Sequence, residues 1–366
     1  MSVYFPEEVI LQIFHKLPVK KLGQCATVCK SWRSLIKNPS FIIAHSNNQT
    51  HEPLLLLRFV SNGKEHYSIH FDNQSLQTHM RFNSPVLECE NINLYFRVIG
   101  SCKGMICLAD DLAIFTYTYV LWNPLIRKFK RLPVPNFTFE THGDFDAFIG
   151  FGFDSVGSDF KLLRFVMLRA LEGSEKPQPR VEVFSLNTGV WKDITGIAPK
   201  YEIVGKGTQA FVNGFIHFMG YRGHRNVILR FHVEDEVFQR IKLPDSLVYG
   251  LGTQMCVSRY KESSIAVFYK TIFGPIEWQV WVMKEYGVVE SWTKILSFGE
   301  SMGLPTPLGF RKNGDLMIEC CDGDIISLEP ESRKIKRLGI RGKKPGYYSF
   351  VDSYEESLVL FDRGKK

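Results

Sequence analysis

No uninterrupted apolar run in this chain approaches the roughly 18–20 residues that a membrane-spanning helix needs, because charges or glycines break the longest candidates. A secretory leader is not expected either, since Met1 to Phe5 carries neither a basic segment nor an apolar one. The eight cysteines, at positions 25, 29, 89, 102, 107, 256, 320 and 321, are therefore expected as reduced thiols in a cytoplasmic or nuclear protein. Charge of one sign is scarce: 45 Lys and Arg face 38 Asp and Glu, and the excess of +7 is spread along the chain. Neither nucleic acid nor a membrane is indicated as a partner. Carboxylate pairs at catalytic spacing are missing. So is a second Cys or His pair behind Cys25, Cys29 and His15, which leaves those thiols as small hydrophobes; no metal or cofactor is expected. The 366 residues, 45% hydrophobic and 13% aromatic, suffice for a small N-terminal module and one large domain.

The N-terminal module is the most informative stretch. Pro6 suits a first helical position, where its missing N–H costs nothing, and Glu7 and Glu8 complement the positive end of the helix dipole. Val9, Ile10, Ile13 and Phe14 form one apolar stripe before Leu17-Pro18 breaks the run. A second stripe is Leu22, Cys25, Ala26 and Cys29, and a third is Trp32, Leu35 and Ile36, ending at Asn38-Pro39. Three such helices make about forty residues, below the size at which a core usually sustains itself without a disulfide, metal or partner. Part of their apolar surface should face another protein.

Phe5-Pro6-Glu7-Glu8-Val9-Ile10, Leu17-Pro18-Val19-Lys20 and Val28-Cys29-Lys30-Ser31-Trp32 together resemble an F-box. The resemblance implies docking on a Skp-type adaptor, and through it on a cullin and a RING protein. The matching adaptor-binding positions are Phe5, Pro6, Val9, Ile10, Ile13, Leu17, Pro18, Leu22, Val28, Cys29 and Trp32. Two departures stand out: Phe5 replaces the family's usual Leu, and Gly23-Gln24-Cys25 replaces a bulkier, more helix-favouring stretch. A helix-interior glycine costs roughly 1 kcal/mol relative to Ala, so weaker adaptor binding is expected.

After His45 the texture changes to short β-rich runs separated by Gly, Asn, Asp and Pro. Met80, Phe129, Trp191, Phe238, Trp292 and Ile335 mark equivalent points of a unit recurring at about fifty residues, the kelch-type spacing. Each unit pairs an apolar hairpin with an amphipathic one. Asn213-Gly214 and Asn313-Gly314 are expected as hairpin turns in which both residues take positive φ. Four strands per unit make a propeller blade, and five complete blades are expected at 98–133, 148–194, 209–243, 253–297 and 306–340. Leu54–Phe59, Tyr67–Phe71 and Gln77–Phe82, combined with Tyr347–Phe350 and Ser357–Phe361, supply a sixth that closes the ring and hides its edges. The expected fold is a small all-α F-box of three helices, residues 1–45, followed by an all-β kelch-like propeller of about six four-stranded blades, residues 46–366, with a core of its own. The second region also resembles the F-box-associated domain of plant F-box proteins, through Leu121-Trp122-Asn123-Pro124, Gly150-Phe151-Gly152-Phe153-Asp154, Glu182-Val183-Phe184-Ser185-Leu186, Val280 to Gly287, Glu290 to Lys294, and Pro307-Leu308-Gly309-Phe310.

Several catalytic or binding patterns lack their context. Gly150-Phe151-Gly152 with Gly157 has the spacing of a phosphate loop, but an alternating strand, Phe160 to Val166, follows where a helix N-terminus is required; turn glycines are expected instead. Gly100-Ser101-Cys102-Lys103-Gly104, similar to a nucleophile elbow, also precedes a strand. Cys320 and Cys321, placed in a strand, would point to opposite faces. The basic runs Arg127 to Arg131 and Arg333 to Arg337 fit outer blade strands with charges in water and with Phe129 and Ile335 turned inward.

The resemblance implies a non-enzymatic substrate receptor of a Skp–cullin–F-box ubiquitin ligase. Alternatives are a propeller enzyme with an appended F-box-like segment, and an F-box protein acting outside a ligase or recognising glycans. In kelch-like propellers the recognition face is built from connections between blades and from loops joining second to third strands, which selects Val134–Ala147, Leu168–Arg180, Gly220–Asn226 and Lys270–Trp278. The expected substrate contacts are Phe137, Phe139, His142 and Phe145 in one loop and Tyr221, Arg222, His224 and Arg225 in another, a cationic, aromatic-rimmed surface suited to an acidic or phosphorylated protein segment.

Overall fold

The computed structural model describes residues 5–47, 52–85, 95–111, 116–169, 177–205, 209–299, 305–342 and 349–360. The N-terminal region folds as α1 (Glu7–His15), α2 (Val19–Cys25), α3 (Lys30–Lys37) and α4 (Pro39–Asn47). Pro6 caps α1 from outside rather than starting it. The three expected helices are joined by α4, because Pro39 opens a helix instead of ending one: its absent N–H is harmless in a first turn, and the Asn38 side chain accepts the Ser40 N–H at 2.9 Å. Phe14, Val19, Leu22, Ala26, Ile36 and Phe41 are buried together, with Trp32 packed edge-on to Phe14 at 5.2 Å.

The remainder is six sheets arranged as a ring. The first contains β1 (Leu54–Ser61), β2 (Lys64–Phe71) and β3 (Thr78–Phe82). The second is β4 (Arg97–Cys102), β5 (Met105–Ala109), β6 (Tyr119–Asn123) and β7 (Lys128–Arg131), and the third is β8 (Phe145–Asp154), β9 (Asp159–Leu168), β10 (Arg180–Ser185) and β11 (Trp191–Asp193). In the fourth the innermost strand is split into β12 (Glu202–Val204) and β13 (Ala210–Val212), both paired with β14 (Phe215–Arg222), and followed by β15 (Arg225–His232) and β16 (Val237–Ile241). The fifth is β17 (Met255–Tyr260), β18 (Ser264–Lys270), β19 (Glu277–Met283) and β20 (Trp292–Gly299), and the sixth β21 (Thr306–Phe310), β22 (Leu316–Glu319), β23 (Asp324–Leu328) and β24 (Ile335–Arg341).

The chain end closes the ring. β25 (Phe350–Tyr354) pairs antiparallel with β1, Leu54 opposite Tyr354, and becomes the innermost strand of the first blade. The sixth blade drawn from both termini is therefore present, with one difference. Ser357 to Leu360 is not a strand; Tyr347, Tyr348 and Phe361 lie outside the described residues. Apolar side chains fill the wedge between every neighbouring pair of blades, for example Phe165, Phe218 and Phe231 between the third and fourth. Inner strands such as β5 are buried on both faces, whereas the outermost β7 alternates between half-buried and exposed residues, which matches the apolar and amphipathic hairpins of the sequence.

Several local expectations change. Gly150 and Gly152 are not turn residues: they lie inside β8, where a Cβ would stand 2.2 Å from Ile216 Cγ2 or 2.8 Å from the Phe211 ring, so they permit close blade packing. Asn213 and Gly214 both have positive φ, 51° and 78°, whereas in Asn313-Gly314 only the glycine does, because the Asn313 side chain accepts the Asp315 N–H and turns the chain itself. Cys320 and Cys321 follow β22 in a turn. Phe129 and Ile335 are about half exposed, at 48% and 49%, since blades diverge radially and leave their outermost strands uncovered. Finally, the two regions do not keep separate cores: Leu358 from the chain end is buried in the helical core, which also packs on Leu125 and Ile126 of the β6–β7 turn.

Candidate interaction surfaces

Strand order divides the ring into two faces. On one lie the turns joining first to second and third to fourth strands, including the β6–β7 turn that carries the helical region. The other carries the loops joining second to third strands and the connections between blades.

The helical region presents an apolar surface away from the ring. Phe5, Val9, Ile13 and Val28 are exposed at 56%, 37%, 49% and 66%, and Pro6, Pro18 and Cys29 are exposed beside them. Ile10, Leu17 and Trp32 are half-buried. Leu22 is fully buried and corrects the expectation of contact: it lies in the helical core with Phe14 and Ile36, because so small a module needs its few large apolar side chains to build a core at all. The Cys29 sulfur accepts the Trp32 N–H at 3.4 Å, capping α3.

On the opposite face, the loop from Val134 to Ala147 is a folded element rather than an open one. Thr138 and Thr141 form a capping box around a short helical turn, α5 (Phe139–His142). Phe137 and Phe145 are buried with Ala147 and Val166, and the half-buried Phe139 lies 4.4 Å from the Phe145 ring. Phe137 and Phe145 are thus withdrawn from any partner, because burying two rings under their own loop removes more apolar area from water than leaving them out. His142 packs edge-on to Phe137 and its Nδ1 lies 2.7 Å from Thr141 Oγ1.

Buried polar groups hold these connections down. Arg164 Nη1 donates to Glu182 Oε1 at 2.6 Å and to the Phe137 carbonyl at 2.9 Å, while Glu182 Oε2 accepts the Asn136 N–H at 3.0 Å. Burial pushes the Glu182 carboxyl above its usual range despite the pull of Arg164. The first blade repeats the device: Arg58 donates to Glu65 and to the Phe96 carbonyl, and Glu65 accepts the Phe96 N–H. In the fourth, Asn226 donates to the carbonyls of Leu247 and Gly250.

The second loop behaves differently. Arg222, Gly223, His224 and Arg225 form an exposed tip in which Gly223 and His224 have φ of 57° and 62°. Arg222 lies over the Tyr201 ring at 5.8 Å and Arg225 over the Tyr249 ring at 5.7 Å, with the Tyr221 hydroxyl 3.3 Å from His224 Nδ1. Tyr221 and Arg222 line a groove of about 850 Å³ between the third and fourth blades, with Phe148, Met167, Leu168 and Ile203 among its apolar residues. Arg169, Lys200 and Arg222 outnumber Asp146 and Glu202 on its rim. Of the eight expected contacts, the structure gathers Tyr221, Arg222, His224 and Arg225, and sets the aromatic loop apart as a support. Tyr201 and Tyr249, missed from the sequence, lie in connections between blades, so the rule that selected Val134–Ala147 could have selected them. Phe273, 80% exposed at the β18–β19 loop, lies on the selected segment without having been singled out.

His217 bridges the fourth and fifth blades from the Ala210 carbonyl to the Tyr286 hydroxyl, and burial lowers its pKa to about 4. Among the described residues no three His, Cys, Asp or Glu side chains converge as a metal site.

A small helical module carried on a six-bladed propeller is the class of protein that the fold defines. Residues 4–43 match the F-box-like family and residues 57–360 the F-box associated beta propeller domain. The chain belongs to the family of F-box proteins with an F-box associated propeller. Its relatives in Arabidopsis thaliana include F-box protein At3g07870, 28% identical and covering 98% of this chain and 92% of the relative, and F-box protein CPR1, 26% identical over 98% and 89%. F-box/kelch-repeat protein At3g23880 is 25% identical over 87% and 86%.

Proposed function

We propose that this chain is the substrate receptor of a Skp–cullin–F-box ubiquitin ligase. The F-box docks on a Skp-type adaptor, which brings the cullin and RING protein, and the far face of the propeller holds the protein to be ubiquitinated. Ubiquitin transfer belongs to the partners in this reading. The observation that carries it is the placement of two accessible surfaces on opposite sides of one rigid ring: Phe5, Val9, Ile13 and Val28 on one, and the tyrosine-backed Arg222 and Arg225 on the other. Guanidinium groups held over aromatic rings are pre-ordered for carboxylate or phosphate, which supports an acidic or phosphorylated client segment.

Co-expression with a Skp-type adaptor and a cullin tests the assignment. The wild-type chain should co-purify with both, and Val9→Asp with Ile13→Asp, two exposed positions, should abolish capture without changing the propeller's melting temperature. Equal capture of the double variant would remove the adaptor surface from Val9 and Ile13, and failure of the wild type to capture adaptor would remove the receptor assignment.

A further inference from the structure

The segment after β25 has no counterpart in an ideal blade, and its contacts are with two different bodies at once. The Asn123 side-chain amide, completely buried, donates to the carbonyls of Ser357 and Val359 at 2.8 and 2.9 Å. Tyr354 donates its hydroxyl proton to the Gly104 carbonyl, and Gly104 must lack a side chain because a Cβ would stand 2.4 Å from Ser357 Cβ. Lys103 and Glu355 pair at 3.1 Å, and His79 Nε2 lies 3.2 Å from Glu356 Oε1. Between these ring contacts Leu358 is 1% exposed inside the helical core, while Leu360 enters the wedge between the second and third blades.

We propose that residues 355–360 are a strap that fixes the F-box in one orientation on the propeller, with Asn123 as its positioning residue. Two consecutive anchors two residues apart clamp the backbone on either side of Leu358, so the side chain that completes the F-box core is held at a fixed point of the ring. This assigns a task to Asn123 in the Leu121-Trp122-Asn123-Pro124 segment, while the next residues of the same turn, Leu125 and Ile126, pack directly on the F-box. The strap is separable from ring closure, because β25 ends at Tyr354. The inference concerns the free chain and stands whether or not the receptor assignment does.

The test uses the full-length chain with isotope-labelled isoleucine methyl groups, comparing the tumbling times sensed at Ile36 in the F-box core and Ile265 in β18 by methyl cross-correlated relaxation. In the wild type the two should agree. In a chain ending at Tyr354, and to a lesser degree in Asn123→Ala, the value at Ile36 should fall at least two-fold while Ile265 keeps the value of the ring. Matched values in the chain ending at Tyr354 would overturn the proposal. So would loss of the ring fold in both variants, which would make the segment part of closure, or unfolded shifts at Ile36 in both, which would make it a piece of the F-box core rather than a positioning strap.

Discussion

Removing either partner of the Arg164–Glu182 pair should destabilise the propeller, but only the removal of Arg164 should leave a penalty that depends on pH. Both side chains are fully buried, 2.6 Å apart. Breaking a buried pair costs about 3–5 kcal/mol because a charge is left uncompensated. For a ring of this size that corresponds to a fall of roughly 5–8 °C in melting temperature. The Glu182→Gln variant leaves a guanidinium that cannot lose its proton, so its penalty should be nearly independent of pH between 5.5 and 8. The Arg164→Met variant leaves a carboxyl that escapes its penalty by taking up a proton, and it loses the attraction that opposed the upward shift by burial. Its folded state then binds a proton that the unfolded chain, with an ordinary carboxyl, releases. Stability gained that way is lost as pH rises, so lowering pH should recover part of the penalty relative to wild type, by at most about 1.4 kcal/mol per unit. Urea unfolding of both variants at pH 7.5 and 5.5 makes the comparison. Equal penalties at both pH values for both variants would refute the reasoning and make the pair a purely geometric contact.

Three further outcomes follow from the same structure. Because burial lowers the His217 pKa to about 4 from an ordinary 6.5, the neutral ring stabilises the fold fully above pH 6.5, and roughly 3 kcal/mol should be lost as pH falls from there to 4; thermal melts of His217→Gln across that range should lack this limb, and an identical limb would assign it elsewhere. A chain ending before Phe350, which loses the innermost strand of the first blade, should melt well below wild type throughout the ring rather than fray at one end, whereas an unaltered calorimetric midpoint would contradict closure by β25. Arg222→Ala with Arg225→Ala should deplete client proteins in proximity labelling while adaptor capture persists; recovery of the same clients in equal amounts would move the recognition face away from the fourth blade.

The repeat of about fifty residues, the Asn213-Gly214 turn and the pairing of apolar inner with amphipathic outer hairpins were legible because each is a local pattern. Closure by the chain end was legible too, from the leftover strands at both termini. What escaped depends on contacts between distant segments. Leu358 carries no sign that it belongs to the helical core, since it lies over three hundred residues from α4. Gly150 and Gly152 looked like turn residues because a strand glycine that admits Ile216 and Phe211 from the next blade has no signature of its own. At the surfaces, the F-box resemblance assigned Val9 and Ile13 to a partner, while the apolar stripe they share with the buried Phe14 did not separate them from the core, and composition could not tell exposed loop aromatics from buried ones. Phe137 and Phe145 went under, while Tyr201 and Tyr249, outside the selected loops, back the two exposed arginines. The Thr138 and Thr141 capping box was the available hint that the first loop folds on itself.

Ring closure also sets a timetable. The strand that pairs with Leu54–Arg58 is made about three hundred residues later, so at about 5–20 residues per second the edge of β1 waits roughly 15–60 s on the ribosome for its partner. That edge is Leu54-Leu55-Leu56-Leu57, four consecutive leucines that are buried in the finished ring. During synthesis they form an unpaired, apolar strand edge of the kind that recruits a neighbouring chain. The production of this protein is therefore exposed to a hazard that its finished structure conceals: slower translation or crowded polysomes lengthen the wait, and yield in a heterologous host should depend on what shields those leucines until Phe350–Tyr354 emerges.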